Sequence, residues 1–434
     1  MFEKILIDQN PQWEGHAFPA SVAREAETSL EKYLPLKHVI SIAGVRRSGK
    51  STLVRQAMAW LIRQGVPSRN IVFGQLEHPF FVEYAADVRH LERWFDDYLN
   101  LMKPEGTVYC CLDEVQFFAD WPVFVKAKYE SSSIKFMVTG SNSFLLSSDL
   151  LTLLSGRTLP ISVFPLSFAE LVMARLGGSQ IEAANLVRQQ AKVRQLVDEY
   201  LRYGGFPEVA LDIPKELADE VLENYAKSIL YQDVAGRLGS KKPLAIERLF
   251  YYLAGHVGTR FSYVKLAEPF GLTDKTVKEY VDALQAAYLL FVVDQFSVSV
   301  KQQVRSSKKA YLIDPGMAQA IAFKFSENRG RVLENAVFLE LMRRHSEVYY
   351  YRTDQGDEVD FITKSNNAWA LVQVCAELNE DALEREVRAL VTAAKECKLD
   401  KGLIVTLDEA KEWQQDGIQL SAIPFAQWAL SKQA

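Results

Sequence analysis

The chain is poor in the residues that hold small or metal-built folds together. Its 434 residues include only four cysteines and six histidines. Cys110, Cys111, Cys375 and Cys397 are too sparse for a disulfide framework or a zinc cluster, and this usage fits a reducing cytosol. Cys110 and Cys111 are neighbours in an apolar run and read as core residues of a strand. His16, His38, His78, His90, His256 and His345 form no H-x-x-x-H pair, so metal chemistry through histidine is not indicated. The opening MFEKILIDQNPQWEGHAFPA is charged and lacks the apolar stretch of a secretory signal. No run approaches the roughly eighteen apolar residues of a membrane-crossing helix, which argues against a membrane partner. These absences point to a cytoplasmic protein.

An excess of one charge is lacking as well: 50 Lys+Arg stand against 55 Asp+Glu, a formal net charge of −5. Such a balance argues against coating nucleic acid along the whole surface, yet leaves room for a local basic face. With 48% hydrophobic and 24% charged residues, a disordered chain and a fibre are excluded. At roughly 100–200 residues per domain the length allows two to four domains.

Strand and helix patterns alternate through the first part. HVISIAG, NIVFGQL, TVYCCLDE and IKFMVTGS read as buried strands, with helical KSTLVRQAMAWLIRQG and VRHLERWFDDYLNLM between them. The pattern predicts an α/β fold with a parallel sheet covered on both faces. From about residue 166 helices take over, broken at RYGGFPEV, and beyond residue 310 strands and helices alternate again. The expected domains are 1–165, 166–240 (a helical lid or linker), 241–310 and 311–434.

Gly44-Val45-Arg46-Arg47-Ser48-Gly49-Lys50-Ser51, followed by Thr52, fits G-x-x-x-x-G-K-[ST] between a strand and a helix. Its backbone N–H groups and the helix N-terminus suit the phosphates of ATP. Lys50 is expected at the β/γ-phosphates, and the Ser51 hydroxyl at Mg²⁺. Arg46 and Arg47 fit phosphate or nucleic-acid contacts, or solvated side chains. An acid at the end of a buried strand must complete the Mg²⁺ site, and TVYCCLDE offers Asp113. Glu114 beside it can orient and polarise a water, which favours hydrolysis over transfer. After IKFMVTGS, either Ser141 or Asn142 could touch the γ-phosphate or that water; a turn cap accounts for them equally well. Arg157 could serve a neighbouring subunit's site, or form a surface salt bridge.

GVRRSGKSTL, CLDEVQ, VTGSNS, LSGRT with FPLSFAEL, YGGFPE, and YLIDPGM with LENAVFLEL together resemble a widespread prokaryotic family. Its members join an AAA-like ATPase domain to a C-terminal domain of unknown function related to restriction-type nucleases. The likeness runs over nearly the whole chain. It implies an additional-strand P-loop fold of the AAA+ kind and self-association as a homo-oligomer, a hexamer being one such assembly. It also favours Arg157 as an arginine finger.

Residues 245–293 have the rhythm of a winged helix-turn-helix, with Thr273 as N-cap of the third helix and FVVDQFS and KKAYLID as the wing. DNA contacts are expected from Lys275, Thr276 and Lys278 at that helix's start, and from Arg305, Lys308 and Lys309 in the wing. Winged helices also serve as protein–protein modules. The final domain looks like a restriction-endonuclease-type fold, in which Glu334 and Asp360 match two of its acids. Where that fold needs E-x-K, the strand reads Gln373-Val374-Cys375, so metal-dependent cleavage is not expected. The leading expectation is a Mg²⁺-dependent ATPase that binds DNA, branched or junction DNA included, and remodels it as a homo-oligomer. A nucleotide-gated signalling switch stands second and an ATP-dependent nuclease third.

Overall fold

The computed structural model describes residues 1–431 except 20, 132, 142, 147, 155, 178–189, 240–242, 323–328, 346 and 366–367. The chain divides into two compact units, Met1–Phe164 with Ala286–Tyr288, and Pro165–Gln285 with Leu289–Ala434.

The first unit is built on five strands, β1 (Val39–Ala43), β2 (Ile71–Gln75), β3 (Val108–Asp113), β4 (Ile134–Gly140) and β5 (Thr158–Ser162). They lie in the order β2-β3-β4-β1-β5 and every pairing is parallel. All residues of β1 and β4 are buried, as expected of strands covered on both faces. The helix Lys50–Arg63 turns Leu53, Val54, Ala57, Met58 and Leu61 inward, a helical stripe that packs with Ile40, Ile42, Ile71 and Phe73. The sequence pattern omitted β5. Pro160 breaks its strand signature, and the structure places it on an edge, where the missing N–H leaves no ladder bond unmade.

The other edge strand, β2, is sealed by side chains. Asn10 donates to the Phe73 carbonyl (2.9 Å) and accepts the Phe73 N–H (2.7 Å). Gln9 makes the same pair of bonds to Gln75, and Trp13 Nε1 donates to Ile71 O (2.9 Å). These side chains thereby imitate a sixth strand along the outer side of β2.

In the second unit, helices Phe168–Leu176, Gln190–Tyr203, Ala218–Ile229 and Pro243–Gly255 lead into β6 (Arg260–Phe261). The helices Tyr263–Ala267 and Asp274–Ala286 follow, then the antiparallel pair β7 (Leu290–Asp294) and β8 (Lys308–Leu312), in the order β6-β8-β7. A six-stranded sheet completes the unit: β9 (Glu347–Arg352), β10 (Glu358–Ser365), β11 (Ala368–Val374), β12 (Lys401–Thr406), β13 (Lys411–Gln415) and β14 (Ile418–Pro424). Its order is β13-β14-β12-β11-β10-β9, flanked by helices Arg329–Arg344 and Glu380–Cys397.

Three motifs distant in sequence meet in this unit. The buried Asp314 carboxylate accepts the N–H groups of Gly205 (2.7 Å) and Met317 (2.9 Å). Gly205 in turn accepts Leu166 N–H (2.6 Å), and a Cβ on Gly316 would stand 2.1 Å from the Tyr203 carbonyl carbon. FPLSF, YGGFPE and IDPG are thus one backbone crossing that only glycine permits. Burial pushes the Asp314 carboxyl up to about 6 against the pull of those amides.

Asn10→Ala should lower unfolding free energy by about 2–4 kcal/mol, because two buried backbone groups of Phe73 lose their partners. Urea denaturation followed by tryptophan fluorescence measures it.

Candidate functional site

The phosphate loop leaves β1 at its carboxyl end, the edge at which ligands bind in open parallel sheets. β4 lies between the loop strand β1 and the acid strand β3, the additional-strand arrangement that the resemblance implies. Gly44 has no room for a side chain: a Cβ would lie 2.0 Å from the Val163 carbonyl oxygen. Arg47 (φ 65°) and Gly49 (φ 97°) take left-handed conformations that curl the loop before the helix begins at Lys50. Val45 and Ser48 are buried within it, Arg47 and Thr52 are exposed, and Arg46 pairs with Glu77 (2.7 Å). The Ser48 hydroxyl is buried without a hydrogen-bond partner.

Neighbouring residues of a strand ordinarily point to opposite faces. Asp113 ends β3, and Glu114 adopts φ 55°, ψ 53°, which turns the chain and delivers both carboxylates to the loop. Asp113 accepts the Ser51 hydroxyl at 2.8 and 3.0 Å and the Thr139 hydroxyl at 2.5 Å. Glu114 lies 3.3 Å from Lys50 Nζ, which also donates to Val45 O (3.1 Å). Gln116 donates to Glu114 (2.5 Å) and to Ser141 Oγ (3.1 Å), and Ser141 N–H donates to the same carboxylate (3.1 Å). Burial opposes the Glu114 charge, yet Lys50, Gln116 and Arg46 hold its carboxyl below the usual range. Burial and the neighbouring Glu114 push Asp113 up, against the hydroxyls of Thr139 and Ser51. A carboxylate and a serine hydroxyl at this separation are hard oxygen donors that suit Mg²⁺.

Sequence reasoning missed three members of this network. Thr139 stands two residues before Ser141, so strand alternation alone put it on the same side. Gln116 is two residues after Glu114 in CLDEVQ, but the turn that brings it back had no signature. Arg24, from the segment preceding β1, clamps the loop by donating to Ser48 O (2.9 Å) and Phe164 O (2.7 Å). Asn142 lies outside the described residues. Arg157 is not joined to the cluster: it pairs with Glu130 (3.0 Å), sits 5.3 Å from the Tyr129 ring, and its carbonyl accepts Val39 N–H at the start of β1.

In the second unit, Lys275 and Lys278 are exposed on the helix Asp274–Ala286, Thr276 is half-buried, and Thr273 Oγ1 accepts Thr276 N–H as a cap should (3.1 Å). Arg305 is exposed. Lys308 and Lys309 correct the expected set of DNA contacts. Both are buried in β8, Lys308 against Asp294 (2.5 Å) and Lys309 among carboxylates, so neither ammonium faces a nucleic-acid backbone. Glu334 and Asp360 come together around Lys309, while Gln373 accepts Asp360 N–H (3.0 Å) and donates to Glu386. Cys375 is buried, its thiol against Glu377 O (3.1 Å).

A parallel sheet with this loop, this acid strand and an inserted β4 defines a P-loop nucleotide-binding domain of the AAA type. Residues 36–172 match the family described as AAA domain, and residues 194–328 and 329–428 match two domains of unknown function (DUF8612 and DUF4143). The chain is 32% identical over 350 residues to an uncharacterized protein of Haemophilus influenzae, covering 80% of this chain and 84% of that one. It belongs to the same family as that protein. It is also 29% identical over 449 residues to the uncharacterized protein MJ1544 of Methanocaldococcus jannaschii, across 99% of this chain and 95% of that one. Among solved structures it is similar to the Aeropyrum pernix ORC1 protein in complex with DNA, with a TM-score of 0.30 and 14% identity over 74% of this chain and 93% of that one. Likeness to AMPPCP-bound DnaA from Aquifex aeolicus has a TM-score of 0.28 and 14% identity over 64% and 92%. At these scores neither structural likeness carries an argument. Among the described residues no helix is long and apolar enough to cross a membrane.

Lys50→Ala should destabilise the nucleotide-free protein by about 3–5 kcal/mol at pH 7, since it leaves Glu114 buried without its cation. In the wild type the Glu114 contribution is present above its unfolded pKa and lost as pH falls through the lowered folded value. The variant's deficit should therefore shrink as pH drops through the carboxylate range. Thermal melts of both proteins from pH 7 to 4 measure it.

Proposed function

We propose that the protein is a Mg²⁺-dependent ATPase that works as a homo-oligomer and couples hydrolysis to the remodelling of DNA. The observation that carries this reading is the convergence of Lys50, Ser51, Asp113 and Glu114 on one phosphate loop. Ser51 and Asp113 would hold Mg²⁺, which offsets charge on the phosphate oxygens when bound. Lys50 spends the nucleotide-free state on Glu114 and Val45 O. A phosphate chain in the loop offers the ammonium a stronger partner, and the exchange releases the Glu114 carboxylate toward the attacking water. Gln116 and the Ser141 N–H keep that carboxylate aimed while Lys50 moves. Glu114, held below the usual range, is ionised at neutral pH and can orient and polarise the water.

Arg157 supports an oligomer. It precedes β5, and β5 runs parallel to β1, so it lies at the amino ends of the strands while the phosphate loop lies at their carboxyl ends. Five residues at about 3.3 Å each separate the two edges. An arginine so placed serves as a finger for a neighbouring copy, and its pairing with the exposed Glu130 is one that a stronger anion displaces.

The reading of a DNA role is supported by three helices followed by the β7–β8 hairpin, the chain order expected of a winged helix-turn-helix, and by the exposure of Lys275, Lys278 and Arg305. The set reads phosphates rather than bases.

Glu114→Gln should retain ATP and lose turnover, and Lys50→Ala should lose nucleotide affinity. Arg157→Ala should be inactive, and mixing it with Lys50→Ala protein should restore part of the ATPase rate. Steady-state hydrolysis with single-stranded, duplex, forked and four-way DNA tests the coupling. A rate indifferent to every DNA, with Lys275→Ala/Lys278→Ala binding DNA as well as wild type, leaves a nucleotide-gated switch as the function.

A further inference from the structure

The most densely charged interior of the second unit surrounds Lys309. Its side chain is 1% exposed, and its Nζ lies 2.8 Å from Glu358, 3.0 Å from Glu334 and 3.2 Å from Asp360. These carboxylates come from a helix and a strand of the six-stranded domain, whereas Lys309 comes from β8 of the preceding module, where it pairs with Val293 and Arg260. Other donors crowd the same carboxylates. Tyr311 donates to the Glu334 oxygen that faces Lys309 (2.6 Å), Val374 N–H donates to the second oxygen of Asp360 (3.0 Å), and Arg260 pairs with the second oxygen of Glu358 (3.1 Å). Gly258 closes on Glu334 so tightly that a Cβ there would lie 2.7 Å from its carboxylate.

An acidic cluster on a helix and an adjoining strand is the donor set for a divalent cation, and a nuclease-type domain requires one. The residues do not fit a metal as they stand. The ammonium sits at the focus of the three carboxylates, and no group of three or more His, Cys, Asp or Glu among the described residues is placed to hold an ion. We propose that Lys309 is a built-in cation occupying the divalent-metal seat of this domain, so that a metal and the lysine exclude one another. The consequences are two. The domain does not cleave phosphodiesters, because the seat is filled. The ammonium also ties the three-helix module to the six-stranded domain, a bond that a metal held by the domain's own acids would not make.

Ammonium and divalent cation are interchangeable here on size. Oxygen ligands of a divalent ion stand at about 2.0–2.6 Å, so carboxylates now at 2.8–3.2 Å would close in by about 0.2–1.2 Å.

The test is Mn²⁺ binding to the full chain without nucleotide, read from the electron paramagnetic resonance of the free ion. Lys309→Met should bind one equivalent more than wild type, at least tenfold more tightly than any wild-type site. Lys309→Met/Asp360→Asn should lose that equivalent, and Lys309→Arg should not gain it. If Lys309→Met folds poorly, its melting temperature should fall in EDTA and recover in Mn²⁺. Equal stoichiometry in wild type and Lys309→Met, or a folding defect that Mn²⁺ leaves unrepaired, overturns the proposal. So does Mn²⁺-dependent plasmid nicking by the wild type that Asp360→Asn abolishes.

Discussion

Two adjacent carboxylates leave water together at the end of β3, and the first unit is arranged around what that costs. Asp113 and Glu114 are 1% and 7% exposed. Placed side by side in an apolar sheet, two negative charges repel and neither is solvated. The fold answers each differently. Asp113 is given hydroxyl donors, Ser51 from the helix and Thr139 from β4, and its carboxyl still rises. Glu114 is given a cation, Lys50, and its carboxyl falls. One acid is left to share hydroxyl protons, which suits a metal ligand, and its neighbour is held ionised, which suits a group that polarises water. The insertion of β4 between β1 and β3 follows from the same demand, because Thr139 and the Ser141 N–H come from that strand's end.

How much of this was legible depended on whether the information is local. The strand–loop–helix around Lys50 was readable because the loop motif, the apolar strand and the helical stripe occupy one stretch of chain. The helix Val88–Met102 was readable to its ends, since Asp87 caps it and its apolar positions repeat at helical spacing. The strand β5 was not, because Pro160 erases its pattern and only an edge position tolerates it. The β13–β14 hairpin escaped for a different reason: KEWQQ is polar on both faces, exposed, and looks like loop. In the site, Asp113 and Glu114 were visible as acids ending an apolar run, whereas Gln116 and Arg24 act through turns that have no periodicity.

Lys309 marks the limit of such reading most clearly. A basic run, KQQVRSSKK, carries the composition of a nucleic-acid contact whichever way its side chains point. In β8 a lysine alternates with its neighbours like any strand residue, and one face of β8 is covered by the helix Arg329–Arg344, with Asn335 bonded to the Leu312 backbone. Composition groups Lys308 and Lys309 with the expected DNA contacts, while packing removes them. The correction could not come from composition, because the compensating acids lie far along the chain, in Glu334, Glu358 and Asp360. By contrast, the strangeness of YGGFPE and IDPG in the sequence, small residues and an acid with no local task, has a structural answer in the crossing at Asp314.

The geometry of the parallel sheet sets a further condition on any chemistry the first unit performs. All five strands run the same way, so every loop at their carboxyl ends can approach a bound phosphate, and every residue at their amino ends is excluded from it. Lys50, Ser51, Asp113, Glu114 and Ser141 all belong to the first edge, and Arg157 to the second. No rotamer of Arg157 spans the sheet, because its side chain is shorter than the strands it would have to pass. The carboxyl edge thus gathers the loop, both acids and Ser141, with Arg46 close enough to act on Glu114, while Arg157 stands apart at the other edge. Under the proposed finger role, Arg157 reaches a phosphoryl group only across an interface between copies. On that proposal a lone chain would bind nucleotide yet turn it over slowly, and assembly rather than binding would set the rate.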